Sequence, residues 1–382
     1  MNENEIKEAR KRIDFKKTYS ETAVQLINDA IEKGKNFIAD INVMRNNVEI
    51  IFEKIKQDNF LKNVAGINVN LNISSIVGID GSCYPIEGIG GRWYVPICVA
   101  RIVFKGNQYI HPETNVTATI IIINEIETPN VMGKSIEVML QFESLGIKNW
   151  GATKGSENSL LLLDGPIIDP PFQSKEKYIK ERCDSIKVCF NKKIVVAGCV
   201  KNVKDKFFLK EFEKRYEDIK SNLKNFPSDH HLMTYLFTHF RRKNYIKNGI
   251  YTEWIDLPID DKKLNTQENE EMKKLNGIYR RYRDEGIGVL SLFYQKELRS
   301  KVIRIDIPYI VNEKINEEKI LNIIKKIDEM VYPMQSIPLP VLLAHERCKI
   351  RGGFAEILYN EILTRGKSVE DVESQILISH LG

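Results

Sequence analysis

This chain of 382 residues has no Cys-x-x-Cys pair, although it carries six cysteines, at 83, 98, 183, 189, 199 and 348. That spacing excludes a zinc knuckle and leaves reduced thiols in packing roles as the expectation. No apolar stretch is long enough to span a bilayer, so no membrane association is expected. The opening stretch, MNENEIKEARKRIDFKK, is charged and lacks the apolar segment of a secretory signal, which points to the cytoplasm. Ser82 follows Asp80 but lies in no Gly-x-Ser-x-Gly elbow, so serine-triad chemistry has no support. Gly88-x-Gly90-Gly91 is followed by a strand pattern and not by a helix, so it is no dinucleotide fingerprint. There is no internal repeat and no low-complexity tract. Excess charge is small: a net charge of +5 permits nucleic-acid binding without demanding it.

What is present reads as a globular α/β chain, with 42% hydrophobic and 29% charged residues. Residues 4–62 have few glycines and no proline, and their apolar residues recur at helical spacing from Val24 to Ile55. This predicts a helical N-terminal arm over 1–70, a packing or dimer-contact element, followed by one domain over 71–382. From residue 74 the period changes to that of strands: Ile76–Asp80, Trp93–Lys105 and Thr117–Asn124, with a turn at 88–91. Pro96 implies that the second of these begins on an edge or at a bulge. Thr128-Pro129-Asn130 offers a start for a helix over 131–146. Leu160–Leu163 and Lys193–Cys199 read as strands on either side of a helix at 172–190. Residues 205–247 read as helical, 260–286 as a mobile polar insertion, 288–294 and 302–308 as strands, and 313–380 as three or four helices. The pattern is a mixed sheet flanked by helices.

Two apolar runs end in Asp-Gly: SSIVGIDGS with Asp80, and SLLLLDGP with Asp164. Asp-Gly is a hairpin-turn signal. An acid at the carboxyl edge of an α/β sheet is also where such folds place ligands, and a charge beside a fully apolar strand is costly unless paired or metal-bound. On the 131–146 helix, Gly133, Glu137, Gln141 and Ser144 form a narrow polar stripe centred on Glu137, with Glu143 as the competing acid. His345 shares a helix face with Val341, Leu342 and Cys348, and so points inward. Two strand-end acids with a helical Glu and a His would form an oxygen-and-imidazole nest for a divalent metal, chemistry suited to phosphodiester cleavage. The imidazole favours Mn²⁺ over Mg²⁺. Lys201, just past a strand, is a candidate phosphate contact, as are Arg241-Arg242-Lys243 and Arg280-Arg281-Tyr282-Arg283, each against the plainer reading of a solvated face. His230, His231 and His239 share a charged helix without a ligand pattern.

In their order these motifs resemble the NurA-domain nucleases, prokaryotic enzymes that process DNA ends. The motifs are GIDGS at 78–82, Glu137, LLLDGP at 161–166, VIRIDIP at 302–308 and LLAHERCKI at 342–350, together covering about 74–364. The resemblance implies a ribonuclease-H-like fold, with Asp80, Glu137, Asp164 and His345 binding catalytic Mn²⁺, Mg²⁺ being the alternative. It also implies a homodimer whose channel admits DNA, fed by a HerA-type hexameric translocase ATPase. Residue 306 is Asp where the family often has Glu, and the 260–286 segment lies outside the family pattern. The expected activity is that of a metal-dependent DNase, endonuclease or 5′–3′ exonuclease, in break repair or anti-phage defence, with Lys201 neutralising the phosphate. The rival readings are a ribonuclease-H-like enzyme acting on RNA or hybrids, and a non-catalytic adaptor that binds the ATPase.

Overall fold

The computed structural model describes residues 19–68, 73–88, 91–106, 108–168, 176–260 and 270–366. The expected helical residues 4–18, the helix start at 172–175, residues 261–269 of the insertion and the terminal 367–380 lie outside the described residues.

In chain order the elements begin with α1 (Ser20–Lys56), β1 (Leu61–Asn63), β2 (Ser75–Cys83), β3 (Ile86–Glu87), β4 (Arg92–Lys105), β5 (Gln108–Asn124), α2 (Val131–Thr153) and β6 (Ser159–Asp164). They continue through α3 (Glu176–Asn191), β7 (Val195–Val200), α4 (Phe207–Arg215), α5 (Lys220–Leu223), α6 (Asp229–Asn244), β8 (Ile250–Thr252) and β9 (Ile255–Leu257). The last are α7 (Glu270–Asp284), β10 (Ile287–Gln295), β11 (Ile303–Ile310), α8 (Glu317–Met330), α9 (Leu339–Cys348) and α10 (Gly352–Gly366).

One mixed sheet runs β1-β8-β10-β11-β7-β6-β2-β4, with β3 and β5 both on β4 and β9 on β10. β2, β4 and β5 form an antiparallel meander. β6 lies parallel to β2 on its other side, and β7 lies parallel to β6. Parallel neighbours need a crossover, and α2 and α3 supply the two crossovers. The buried runs Leu160–Leu163 and Val196–Cys199 are apolar throughout because both faces of these central strands are covered.

Alternation along the strands sorts the core into two layers. Val77, Ile79, Leu161 and Leu163 pack with α2, α3 and α7. Ile76, Leu160 and Leu162 pack on the opposite face with α8 and α9. A third cluster joins the second half of α1, through Val48, Ile51, Phe52 and Ile55, to α4 and α6.

Several expectations change in detail. Asp80 lies inside β2 and not beyond it, because β4 pairs with β2 as far as Cys83. β4 is internal: Pro96 faces the break between β2 and β3, where Tyr84 N donates to its carbonyl, so its missing N–H costs no ladder bond. β5 starts nine residues before the expected Thr117, at Gln108, since residues 111–117 are largely polar and exposed or half-buried and carry no apolar alternation. Pro112 is tolerated there because β5 is an edge strand. α2 begins as expected, with Asn130 Oδ1 accepting from Gly133 N at 2.9 Å. It then continues to Thr153, seven residues past the expected end at 146, because Ile147 and Trp150 extend its buried stripe. The 260–286 insertion is corrected: α7 occupies its second half and buries Met272, Ile278, Tyr279 and Tyr282 against the sheet.

Candidate metal centre

The chemistry gathers where β2 and β6 run side by side. Their last paired positions are Ile79 and Leu163, so Asp80 and Asp164 follow one step later on adjacent parallel strands. By alternation both carboxylates project to the α9 face, in line with Leu160 and Leu162. Gly165 then takes φ 140°, a conformation that glycine adopts readily, and turns the chain away.

α9 can approach this sheet face because Gly78 has no side chain. A Cβ at Gly78 would lie 2.2 Å from the carbonyl carbon and oxygen of Pro340, at the start of α9. One and a half turns further along α9, His345 Nδ1 lies 2.7 Å from Asp80 Oδ2 and 3.1 Å from Asp164 Oδ2. One ligand atom from each of Asp80, Asp164 and His345 lies within 4.8 Å of the others. The Asp side chains are nearly enclosed, whereas the His345 side chain is 39% exposed and leaves a path to solvent.

Lys201, the first residue after β7, donates from Nζ to Asp164 Oδ2 at 2.6 Å. Cys348, expected as a packing thiol, donates from Sγ to Asp80 Oδ2 at 3.2 Å. Its carbonyl accepts from Ser82 Oγ, which ties the end of α9 to β2. The i+3 spacing from His345 was the available signal for Cys348.

Burial, and after it the negative charge of Asp164, push the Asp80 carboxyl above its usual range, against hydrogen bonds from Cys348 and His345. Two carboxylates held this close in a half-dry site repel, and a bound cation relieves that repulsion. Carboxylate, carboxylate and imidazole are donors that Mn²⁺ accepts, and Mg²⁺ takes the oxygens. The residues therefore fit a divalent ion.

The raised carboxyl has a consequence for the metal-free protein. A folded-state pKa above the unfolded one means that folding gains a proton, so stability is fullest below the unfolded value and falls as pH rises through the folded value. Asp80→Asn should therefore raise the metal-free melting temperature at neutral pH, and the gain over wild type should shrink on acidification. Parallel melting curves across pH in a chelator check this; a gain that does not change with pH would refute it.

The two candidate glutamates part company. Glu137 is buried in an ion pair with Lys134 at 3.1 Å, and neither it nor Glu143 belongs to the Asp80, Asp164 and His345 group. Glu143 lies six residues on, about 9 Å further along α2. There Gly81 leaves it room: a Cβ at Gly81 would lie 2.9 Å from Glu143 Oε1. Arg182 Nη2 donates to the other oxygen, Oε2, at 3.2 Å. The charge of Glu143 contributes to raising the thiols of Cys83 and Cys348.

Arg241 and Arg283, one from each of the other two expected phosphate-contact clusters, have structural partners. Arg241 is buried and donates to Gln295 and to the carbonyls of Ile246 and Asn248, so it is no phosphate contact. Arg283 bonds Asp256 and Tyr309 at 2.7 Å each, and Tyr282 is fully buried. Arg304 and Asp306 form a buried pair at 2.8 Å, with Asp205 on the same guanidinium, on the sheet face away from α9. His231 is held by Ser228 at 2.8 Å. All six cysteines are free, and burial pushes the Cys183 and Cys189 thiols up to about 12.

An antiparallel meander continued by two parallel strands, with acids on adjacent strands, defines the ribonuclease-H-like α/β fold. The sequence profile of the NurA domain matches residues 74–350, and the chain belongs to that family. Among solved structures it is similar to the NurA nuclease from Sulfolobus solfataricus, at 14% identity and TM-score 0.57, covering 90% of this chain and 98% of that one. It is likewise similar to a second NurA crystal structure, at 12% identity and TM-score 0.51, covering 91% and 99%. No curated protein sequence matches. Among the described residues no helix is long and apolar enough to cross a membrane.

Proposed function

We propose that this protein is a divalent-metal-dependent nuclease acting on DNA ends, with Mn²⁺ as its preferred ion. The observation that carries the reading is the convergence of Asp80, Asp164 and His345, each offering a ligand atom within 4.8 Å of the others. NurA family membership supports the substrate class. Divalent ions held there would supply an activated water and charge stabilisation at the leaving oxygen.

The chain's own groups have separate tasks. Asp80, in contact with both His345 and Cys348, is the central ligand. Asp164 is the second ligand and also orients Lys201. His345 is the ligand on the solvent side, where the path into the site lies. The Lys201 ammonium, fixed by Asp164, stands ready to neutralise charge on a phosphate oxygen. Glu143, reaching over Gly81, is the third carboxylate of the site, and Glu137 braces α2 through Lys134.

This assignment separates the two acids experimentally. Glu143→Gln should lower Mn²⁺-dependent degradation of linear DNA by about 100-fold or more, the upper range for groups that only support a ligand. Glu137→Gln should stay near wild type. Equal losses, or the larger loss at Glu137, would overturn the assignment. The activity itself is tested by degradation of matched linear DNA, RNA and hybrid substrates with Mn²⁺, and with chelator as the control. Faster loss of RNA or hybrid would replace DNA as the substrate, and absence of cleavage on all three would favour an adaptor.

Family membership also suggests a homodimer and a HerA-type translocase as partners, in the cytoplasm. Sedimentation of the purified chain and co-purification with a neighbouring ATPase test these two assignments. Contacts to DNA run chiefly to phosphates, because an end-processing enzyme ignores sequence. Affinity should therefore fall steeply between low and moderate salt.

A further inference from the structure

We propose that the surface leading away from the metal centre along β2 is a track for single-stranded DNA, with phosphates on Lys349 and Arg351 and bases stacked on Tyr84 and Phe354. This rests on the nuclease reading and deepens it: it names residues that would hold the strand beyond the scissile phosphate.

Asp80, Ser82 and Tyr84 project from the same side of the extended chain, so Tyr84 stands about 13 Å along the strand from the metal ligand. The connection from α9 to α10 follows the same line. Ser82 bonds the Cys348 carbonyl at its start. The Tyr84 hydroxyl would lie 3.2 Å from a Cβ at Gly352 at its end. The intervening segment carries Lys349 and Arg351, both exposed, just after the exposed Arg347. None of these three cations has an ion-pair partner among the described residues. Glu346 is the one acid in the six residues 346–351, so the segment is cationic where a phosphate backbone would leave the metal centre.

The aromatic side chains are presented, not packed away. Tyr84 is 42% exposed and Phe354 is 56% exposed. Behind them the Tyr94 and Tyr359 rings sit 6.3 Å apart and join β4 to α10, and Ala355 is buried. Free cations that follow on from a metal site, beside exposed aromatic rings, match how unpaired strands are held without sequence preference. A duplex would keep its bases stacked inside and could use only the cations.

Binding to the full-length protein in chelator, followed by fluorescence anisotropy, tests the track independently of cleavage. The probes are a labelled oligothymidine and a blunt hairpin duplex. Tyr84→Ala with Phe354→Ala should weaken single-strand binding about tenfold or more, leave the hairpin affinity unchanged, and leave the melting temperature and Mn²⁺ affinity at wild-type values. Tyr84→Phe should restore its share. Lys349→Gln with Arg351→Gln should reduce the slope of log affinity against log salt by about 1.4 on the single strand. Unchanged single-strand affinity in the aromatic variants would overturn the proposal. So would an equal loss on the hairpin, or a changed sedimentation coefficient with affinity intact, which would mark the patch as a contact between copies. If the double aromatic variant fails to fold, Tyr84→Ala alone gives the same reading. Because no metal is present, the outcome stands apart from whether Asp80→Asn abolishes cleavage.

Discussion

Asp80→Asn should abolish Mn²⁺-dependent degradation of linear DNA while leaving the fold intact. Metal stabilisation of developing charge is worth several kcal/mol, and each 1.36 kcal/mol is tenfold in rate, so the loss should reach about 10³-fold. Asparagine keeps the size of the side chain, and its one carbonyl oxygen can accept either from Gly81 N, as Asp80 Oδ1 does, or from His345 and Cys348, as Asp80 Oδ2 does. The substitution therefore removes charge with little change in packing. Two readouts separate chemistry from folding. Mn²⁺ should raise the melting temperature of the wild type by mass action on the folded state, and this shift should vanish in the variant. Retained cleavage with a normal Mn²⁺ shift would place the metal elsewhere.

Gly78→Ala should be among the most destabilising single-methyl changes in the chain. The new carbon would lie 2.2 Å from two backbone atoms of Pro340, and backbone cannot step aside as a side-chain tip can. Overpacking of this kind costs about 3 kcal/mol or more at its upper end. The strain falls between β2 and α9, so the displacement should carry His345 away from Asp80 and Asp164. Urea unfolding should show a lowered midpoint, and metal affinity should fall with it. Gly277→Ala, where a Cβ meets nothing within 4 Å, is the control and should fold normally. An unperturbed midpoint in Gly78→Ala would show that α9 does not seat on β2 as described.

The sheet and most of the site were legible because apolar runs ending in an acid are rare without a reason. Asp80, Asp164, His345 and Lys201 were each marked by position next to a strand or on an inward helix face, and the structure brings all four together. The choice between Glu137 and Glu143 was not legible. A helical wheel gives direction around α2 but not height along it, and the contact that distinguishes Glu143, the space over Gly81, comes from a different element. Cys348 was passed over because a thiol one turn from a histidine on a buried face also suits plain packing. β1, β8 and β9 are three residues each, too short for alternation to register. α7 carried its stripe in Met272, Leu275, Tyr279 and Tyr282, but the charged residues between them made the segment read as a polar insertion. Arg241 and Arg283 looked like phosphate contacts in one dimension. Their acceptors, Gln295 and Asp256, come from strands distant in sequence.

Anomalous diffraction from Mn²⁺-soaked crystals of the wild-type chain tests the metal centre most directly. A manganese peak in contact with Asp80, Asp164 and His345 is expected, with Glu143 turned toward it. Manganese bound only at another site, with the Asp80 and Asp164 carboxylates left bare, would contradict this assignment.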